Sequence, residues 1–106
     1  MAARHVVPLR LSPVKALSRL RAIANDPFNI EVTQHAKSRM AERDITDEQV
    51  LQCLRRGQLN ETPAIDVHGM WKFGVELYIA GDHLSCAVAL DPCRPAVVVI
   101  TAFWVR

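Results

Sequence analysis

The chain has 106 residues, half of them hydrophobic and 23% charged, with a net charge of +2 at pH 7. This length suits a single core, and the apolar fraction excludes a wholly disordered chain. The longest uncharged apolar run, Ala96 to Val105, is far short of the roughly 20 residues of a membrane-spanning helix.

The N-terminus, Met1-Ala-Ala-Arg-His-Val-Val-Pro, lacks the apolar run of a signal peptide. The three cysteines, Cys53, Cys86 and Cys93, are odd in number and widely spaced. They argue against a disulfide framework and for a reducing compartment, so a cytoplasmic protein with no membrane association is expected. Charge is uneven along the chain. Residues 1–25 carry Arg4, Arg10, Lys15, Arg19 and Arg21 with no acid, whereas the remainder is mildly acidic. Such a basic segment suits either a polyanionic partner or a solvated helix face.

Residues 1–11 are expected to form a flexible basic arm ahead of one domain over 12–106. Ser12-Pro13 starts a helix, with a hydroxyl cap and proline at the first helical position. Ala16, Leu17, Leu20, Ile23 and Ala24 then recur at helical spacing until Asn25-Asp26-Pro27 stops it. After an extended piece from Phe28 to Val32, Thr33 caps a second helix over about 34–43, with Ala36 and Met40 as its main apolar content. Asp44 follows, where a left-handed residue turns the chain. Thr46-Asp47-Glu48-Gln49 is a capping box opening a third helix. Its expected buried stripe is Val50, Leu51 and Leu54, and Gly57 is expected as the C′ residue after its end.

Beyond Gly57 the period changes to two. Residues 71–80 alternate Phe73, Val75, Leu77 and Ile79 with polar positions, and Gly81-Asp82 signals a hairpin turn. His83 to Leu90 forms the return strand with Leu84, Cys86, Val88 and Leu90 inward. Asp91-Pro92-Cys93-Arg94-Pro95 turns into an apolar strand over 96–104, and a shorter strand falls within 58–67. The expected fold is α+β: two to three helices, then an antiparallel meander of three to four strands.

The densest candidate for chemistry is the second helix. His35, Arg39 and Glu42 share one face. A neutral imidazole at a helix start suits a general base, and an arginine one turn on suits a phosphate. A base beside such a cation is what metal-free RNA cleavage uses. The same spacing also suits a surface Arg39–Glu42 pair and a packed histidine. His68, His83, Cys86 and Cys93 do not make a metal set, because residues 83 and 86 of a strand face opposite ways. No metal or other cofactor is expected. Trp71 and Trp104 suit the core better than base stacking.

His35-Ala36, Arg39-Met40, Arg43-x-Ile45-Thr46, Val50, Leu54-x-x-Gly57 and the closing Val98-Val99-Ile100-Thr101-Ala102-Phe103 follow in order over residues 32–104. Together they resemble the bacterial domain-of-unknown-function family numbered 4258, with Asp44 where that family usually has glycine. The family is similar in layout to the RelE/ParE toxins and to barnase-, EndoU- and colicin-type nucleases. The resemblance implies a RelE- or barnase-like α+β fold and a small metal-independent endoribonuclease or toxin-like protein, with His35, Arg39, Arg43 and Thr101 as motif positions. In this reading His35 is the base, Arg39 and Arg43 bind phosphate, and His83 is added as an acid. Lys15, Arg19, Arg39, Arg43 and Lys72 would hold nucleic acid. Expected partners are RNA and a cognate inhibitor protein. The alternative is a non-catalytic binding module, or a homodimer, using the second helix and the basic segment.

Overall fold

Hydroxyl caps set where the helices begin. In the computed structural model, which describes residues 11–105, Ser12, Thr33 and Thr46 each accept a bond from a backbone N–H in the first turn of the helix that follows. These helices are α1 (Pro13–Ala24), α2 (Gln34–Glu42) and α3 (Asp47–Arg56). A 3₁₀ turn (Pro27–Asn29) and strand β1 (Ile30–Val32) lie between α1 and α2. Strands β2 (Gln58–Ile65), β3 (Trp71–Ile79), β4 (Asp82–Leu90) and β5 (Val97–Val105) follow α3. The expected basic arm lies outside the described residues except for Leu11, which packs against the core.

The fold is α+β, with one sheet ordered β1-β5-β4-β3-β2. The meander β2–β5 is antiparallel as expected, but β1 adds a fifth strand, pairing in parallel with β5 through Ile30–Val97 to Val32–Val99. Sequence reading missed this pairing because three residues carry no measurable period.

All three helices cover one face of the sheet. Ala16 and Leu20 of α1, Ala36 and Met40 of α2, and Val50, Cys53 and Leu54 of α3 join Phe73, Val75, Leu84, Cys86, Val88, Val97 and Val99 in one core. In α3, Cys53 is fully buried and Leu51 is half-exposed, against the expected stripe. Both core thiols are free and buried. A hydrogen bond with Cys53 and burial push the Cys86 thiol far up, so it stays protonated. Trp71 is 3% exposed and belongs to the core.

Two turns depart from the expected chemistry and a third follows it. Gly57 does not adopt a left-handed conformation; it caps α3 in extended backbone (φ −71°, ψ 167°). The hairpin turn is Ala80-Gly81, both at positive φ (51° and 92°), with Asp82 already paired to Ile79. Asp44 is left-handed as expected, at φ 54°.

A bulge in β5 decides what the open face of the sheet displays. Val99 pairs with Val88 and Thr101 with Ala87, so Ile100 is an extra residue. Before it Val97 and Val99 face the helices; after it Ala102 does, and Thr101 and Phe103 turn to the side opposite the helices. Thr33 pins this bulge: its N–H donates to the Val99 carbonyl (3.2 Å) and its hydroxyl to the Ile100 carbonyl (3.3 Å).

Candidate functional site

Among the described residues no strand lies outside β5 beyond Val99, and α2 with its following turn closes that edge. Arg43 Nη1 donates to the Ala102 carbonyl at 2.8 Å, and Trp104 Nε1 donates to the Arg43 carbonyl at 2.8 Å. Between these elements lies a cleft of about 740 Å³ lined by Glu42, Arg43, Asp44, Thr101, Phe103 and Trp104. The structure thus brings Arg43 and Thr101 together. One guanidinium N–H is spent on the strand, and the remaining donors are those available to a ligand. Two carboxylates, Glu42 and Asp44, share the cleft and oppose a strongly anionic ligand.

His35 and Arg39 stand elsewhere on α2. His35 is exposed in the first turn, and Arg39 is ion-paired to Glu42 at 2.9 Å. An exposed pair of this kind contributes little to stability.

His83 lies on the open face of the sheet, with its Nδ1 3.1 Å from Glu76 Oε2 and its ring edge-on to Tyr78 at a centroid separation of 5.0 Å. Glu76 lies on the neighbouring strand, directly opposite Ser85 and diagonal to His83. Sequence reading did not single out Glu76, because a diagonal cross-strand contact depends on register; the only signal was a polar residue in the outward phase of β3. The two histidines do not share a site. Thr33, at the head of α2, is tied to Ile100, whereas His83 pairs with Val105, about 17 Å further along β5 at the usual strand rise.

The five cations proposed for nucleic acid do not form one patch. Lys15 and Arg19 belong to α1, on the helical side of the sheet. Arg19 Nη2 donates to the carbonyls of Asp91 (3.3 Å) and Pro92 (2.9 Å), tying down the β4–β5 turn. Arg21 likewise donates to the Gly57 carbonyl at 2.9 Å, and Arg55 to those of Ala24 and Asn25. Part of the basic bias near the N-terminus therefore serves carbonyl capping. Lys72 is exposed on the open face, beside a smaller cleft of about 310 Å³ that also holds Glu61 and Asp66.

Among the described residues, no three His, Cys, Asp or Glu side chains gather as metal ligands, and no helix is long and apolar enough to cross a membrane. His83 and Cys86 face opposite sides of β4, as their spacing requires.

No curated protein and no solved structure matches the chain at a significant level. One family model does match, over residues 32–104, a span that starts at the end of β1 and takes in α2, α3, β2–β4 and nearly all of β5. It contains Arg43, Thr101, Glu76 and His83, and excludes α1 with Lys15 and Arg19. The chain belongs to the family described as Domain of unknown function (DUF4258).

Proposed function

We propose that this protein acts on single-stranded RNA as a small metal-independent endoribonuclease, related in layout to RelE- and barnase-type nucleases. The observation that carries the reading is the His83–Glu76 contact on the sheet face that the described helices leave open, on the same face as Thr101 and Phe103 of the Arg43 cleft. In this reading Glu76 takes the proton of a ribose 2′-hydroxyl, and the oxygen attacks the adjacent phosphorus. His83, in its protonated form, gives its proton to the departing 5′-oxygen, leaving a cyclic phosphate and a free hydroxyl. Arg43, with Arg39 nearby on α2, holds phosphates of the strand as it crosses the edge of the sheet. The general base is thereby assigned to Glu76 in place of His35.

The test is incubation of total RNA in EDTA with wild type, His83→Ala, Glu76→Gln and His35→Ala, with products resolved on a denaturing gel. Cleavage should fall by about 10²- to 10⁴-fold in the first two variants and persist in His35→Ala. Undiminished cleavage by His83→Ala would remove the assignment.

A second reading rests on Glu42 and Asp44 beside Arg43. A cleft of mixed charge suits a protein surface carrying both signs, as in a binding module, a homodimer or a complex with a cognate inhibitor. Intact RNA with wild type, together with binding insensitive to salt, would favour it.

A further inference from the structure

Strand β2 is irregular where it passes Gly74. Its register moves from Leu59–Val75 to Glu61–Gly74, leaving Asn60 as the extra residue of a second bulge. The Asn60 side chain lies over Gly74, where an added Cβ would sit 2.3 Å from Asn60 Oδ1. Glycine here makes room for an amide laid across the sheet. Asn60 Nδ2 reaches β4 and donates to Ser85 Oγ at 2.9 Å. Ser85, 3% exposed, is the one buried polar side chain among the described residues. Around this bond lies a cleft of about 280 Å³ lined by Asn60, Glu61, Gly74, Ser85, Ala87 and Phe103.

Three properties of the cleft limit what it can hold. Among the described residues its lining has no cation and one carboxylate, Glu61, so a phosphate is disfavoured and a neutral group favoured. Phe103, 39% exposed and paired in register with Ser85, gives a flat aromatic wall, and the same residue also walls the Arg43–Thr101 cleft. Asn60 offers both an amide donor and an amide acceptor, and Ser85 retains its hydroxyl proton for donation. Ser85 and His83 lie two residues apart on one face of β4, about 7 Å at the usual strand rise. That separation suits one nucleotide, with its base at Ser85 and its phosphate at the Glu76–His83 pair.

We infer that this cleft is a base-recognition subsite, taking one unpaired nucleobase of single-stranded RNA against Phe103 with its edge on the Asn60 amide and the Ser85 hydroxyl. Stacking on an aromatic side chain and hydrogen bonding along an exposed base edge is how unpaired RNA bases are commonly distinguished. The inference rests on the RNA-acting reading above, and adds to it the part of the substrate that sets sequence preference.

The probes are four 2′-O-methyl tetranucleotides, A₄, U₄, C₄ and GUGU, which bind without being cleaved. They are titrated into wild type, Asn60→Ala and Phe103→Leu and followed by tryptophan fluorescence. Both substitutions replace exposed side chains, so the core is left intact. The wild-type affinities should span about fivefold or more, and Asn60→Ala should compress that span to within about twofold. Phe103→Leu should weaken every probe by about tenfold, through lost stacking. Equal wild-type affinities, no binding, or a preference unaltered in Asn60→Ala would each overturn the inference. Failure of catalysis is separable: base preference without cleavage sinks only the Glu76–His83 assignment, and cleavage without base preference sinks only this subsite.

Discussion

Alanine at Gly57 and alanine at Gly74 should have very different effects, although both glycines sit in extended parts of the chain. At Gly57 a Cβ would lie 2.5 Å from the Cys53 carbonyl oxygen and 2.9 Å from that of Glu76. Both are backbone atoms of packed elements, so the junction of α3 with β3 must open by several tenths of an ångström. The Cys53 carbonyl also accepts the Gly57 N–H at 2.8 Å, and moving it weakens that capping bond. Overpacking of this kind costs about 1–3 kcal/mol, and a lost hydrogen bond about 1 kcal/mol more. Restriction of the unfolded chain returns about 0.4–1 kcal/mol. The net loss is about 2 kcal/mol, a fall in Tm of about 10 °C for a domain of this size. At Gly74 the main obstacle is the end of the Asn60 side chain, which swings out into solvent at the cost of its bond to Ser85, about 1 kcal/mol, while Glu61 Cβ at 3.2 Å has to give by only a few tenths of an ångström. The alanine gain in a strand offsets most of that, leaving stability within about 1 kcal/mol of wild type. Urea unfolding of the two variants decides it: the Gly57→Ala midpoint should drop with an unchanged m-value. A Gly57→Ala protein as stable as wild type would refute the close-approach explanation, and a loss above about 3 kcal/mol in Gly74→Ala would show that Asn60 cannot move aside.

The left-handed residues offer gains. Asp44→Gly and Ala80→Asn should each stabilise by about 0.5–1 kcal/mol in the same assay, because neither native residue is ideal at positive φ. Asp44→Gly should also tighten RNA binding in a filter assay, since it takes a carboxylate from beside Arg43. The carboxylates of two turns govern the acid limb of stability. Backbone N–H groups of Cys93 and Arg94, with the Arg94 guanidinium, hold Asp91 below the usual carboxylate range. Partial burial pushes Asp66 up, but the N–H groups of Met70 and His68 outweigh it. A depressed folded pKa stabilises above the unfolded value near pH 4 and is lost as pH falls through the folded value. Asp91→Asn and Asp66→Asn should therefore lose less stability than wild type between about pH 5 and 2, read by thermal melts across that range. Trp104→Phe should lose about 1 kcal/mol in urea unfolding, since it leaves the Arg43 carbonyl without its indole donor.

Local signals in the sequence carried the helices and the hairpins. Ser12, Thr33 and the Thr46–Gln49 box marked helix starts, and alternation from Phe73 to Ile79 and from Leu84 to Leu90 marked the faces of β3 and β4. What remained hidden depends on distant parts of the chain. The parity change at Ile100 is invisible in a uniformly apolar run, yet it decides that Thr101 and Phe103 face the open side. The requirement at Gly57 lies in the carbonyl of Glu76 on another strand, so helix-cap rules suggested the wrong conformation. Arg43 stood out from the family motif, but its structural task, holding Ala102, depends on a contact 59 residues away. Arg19 and Arg21 looked like a charged surface because sequence does not reveal which carbonyls are left unpaired.

The order of strands has a consequence for how the molecule is assembled. β5 comes last among the elements yet lies inside the sheet, between β4 and β1. Until it docks, β1 has no neighbour, Thr33 has no bulge to hold and Arg43 has no carbonyl to bind. Closing a loop across the 67 residues from Thr33 to Ile100 costs about 4 kcal/mol in chain entropy, so the edge cleft is the entropically expensive part of the fold. The pairings within the meander from β2 to β4 are between neighbours in sequence. The Glu76–His83 pair needs only a hairpin to be closed, whereas the Arg43–Thr101 cleft needs the long loop closed as well.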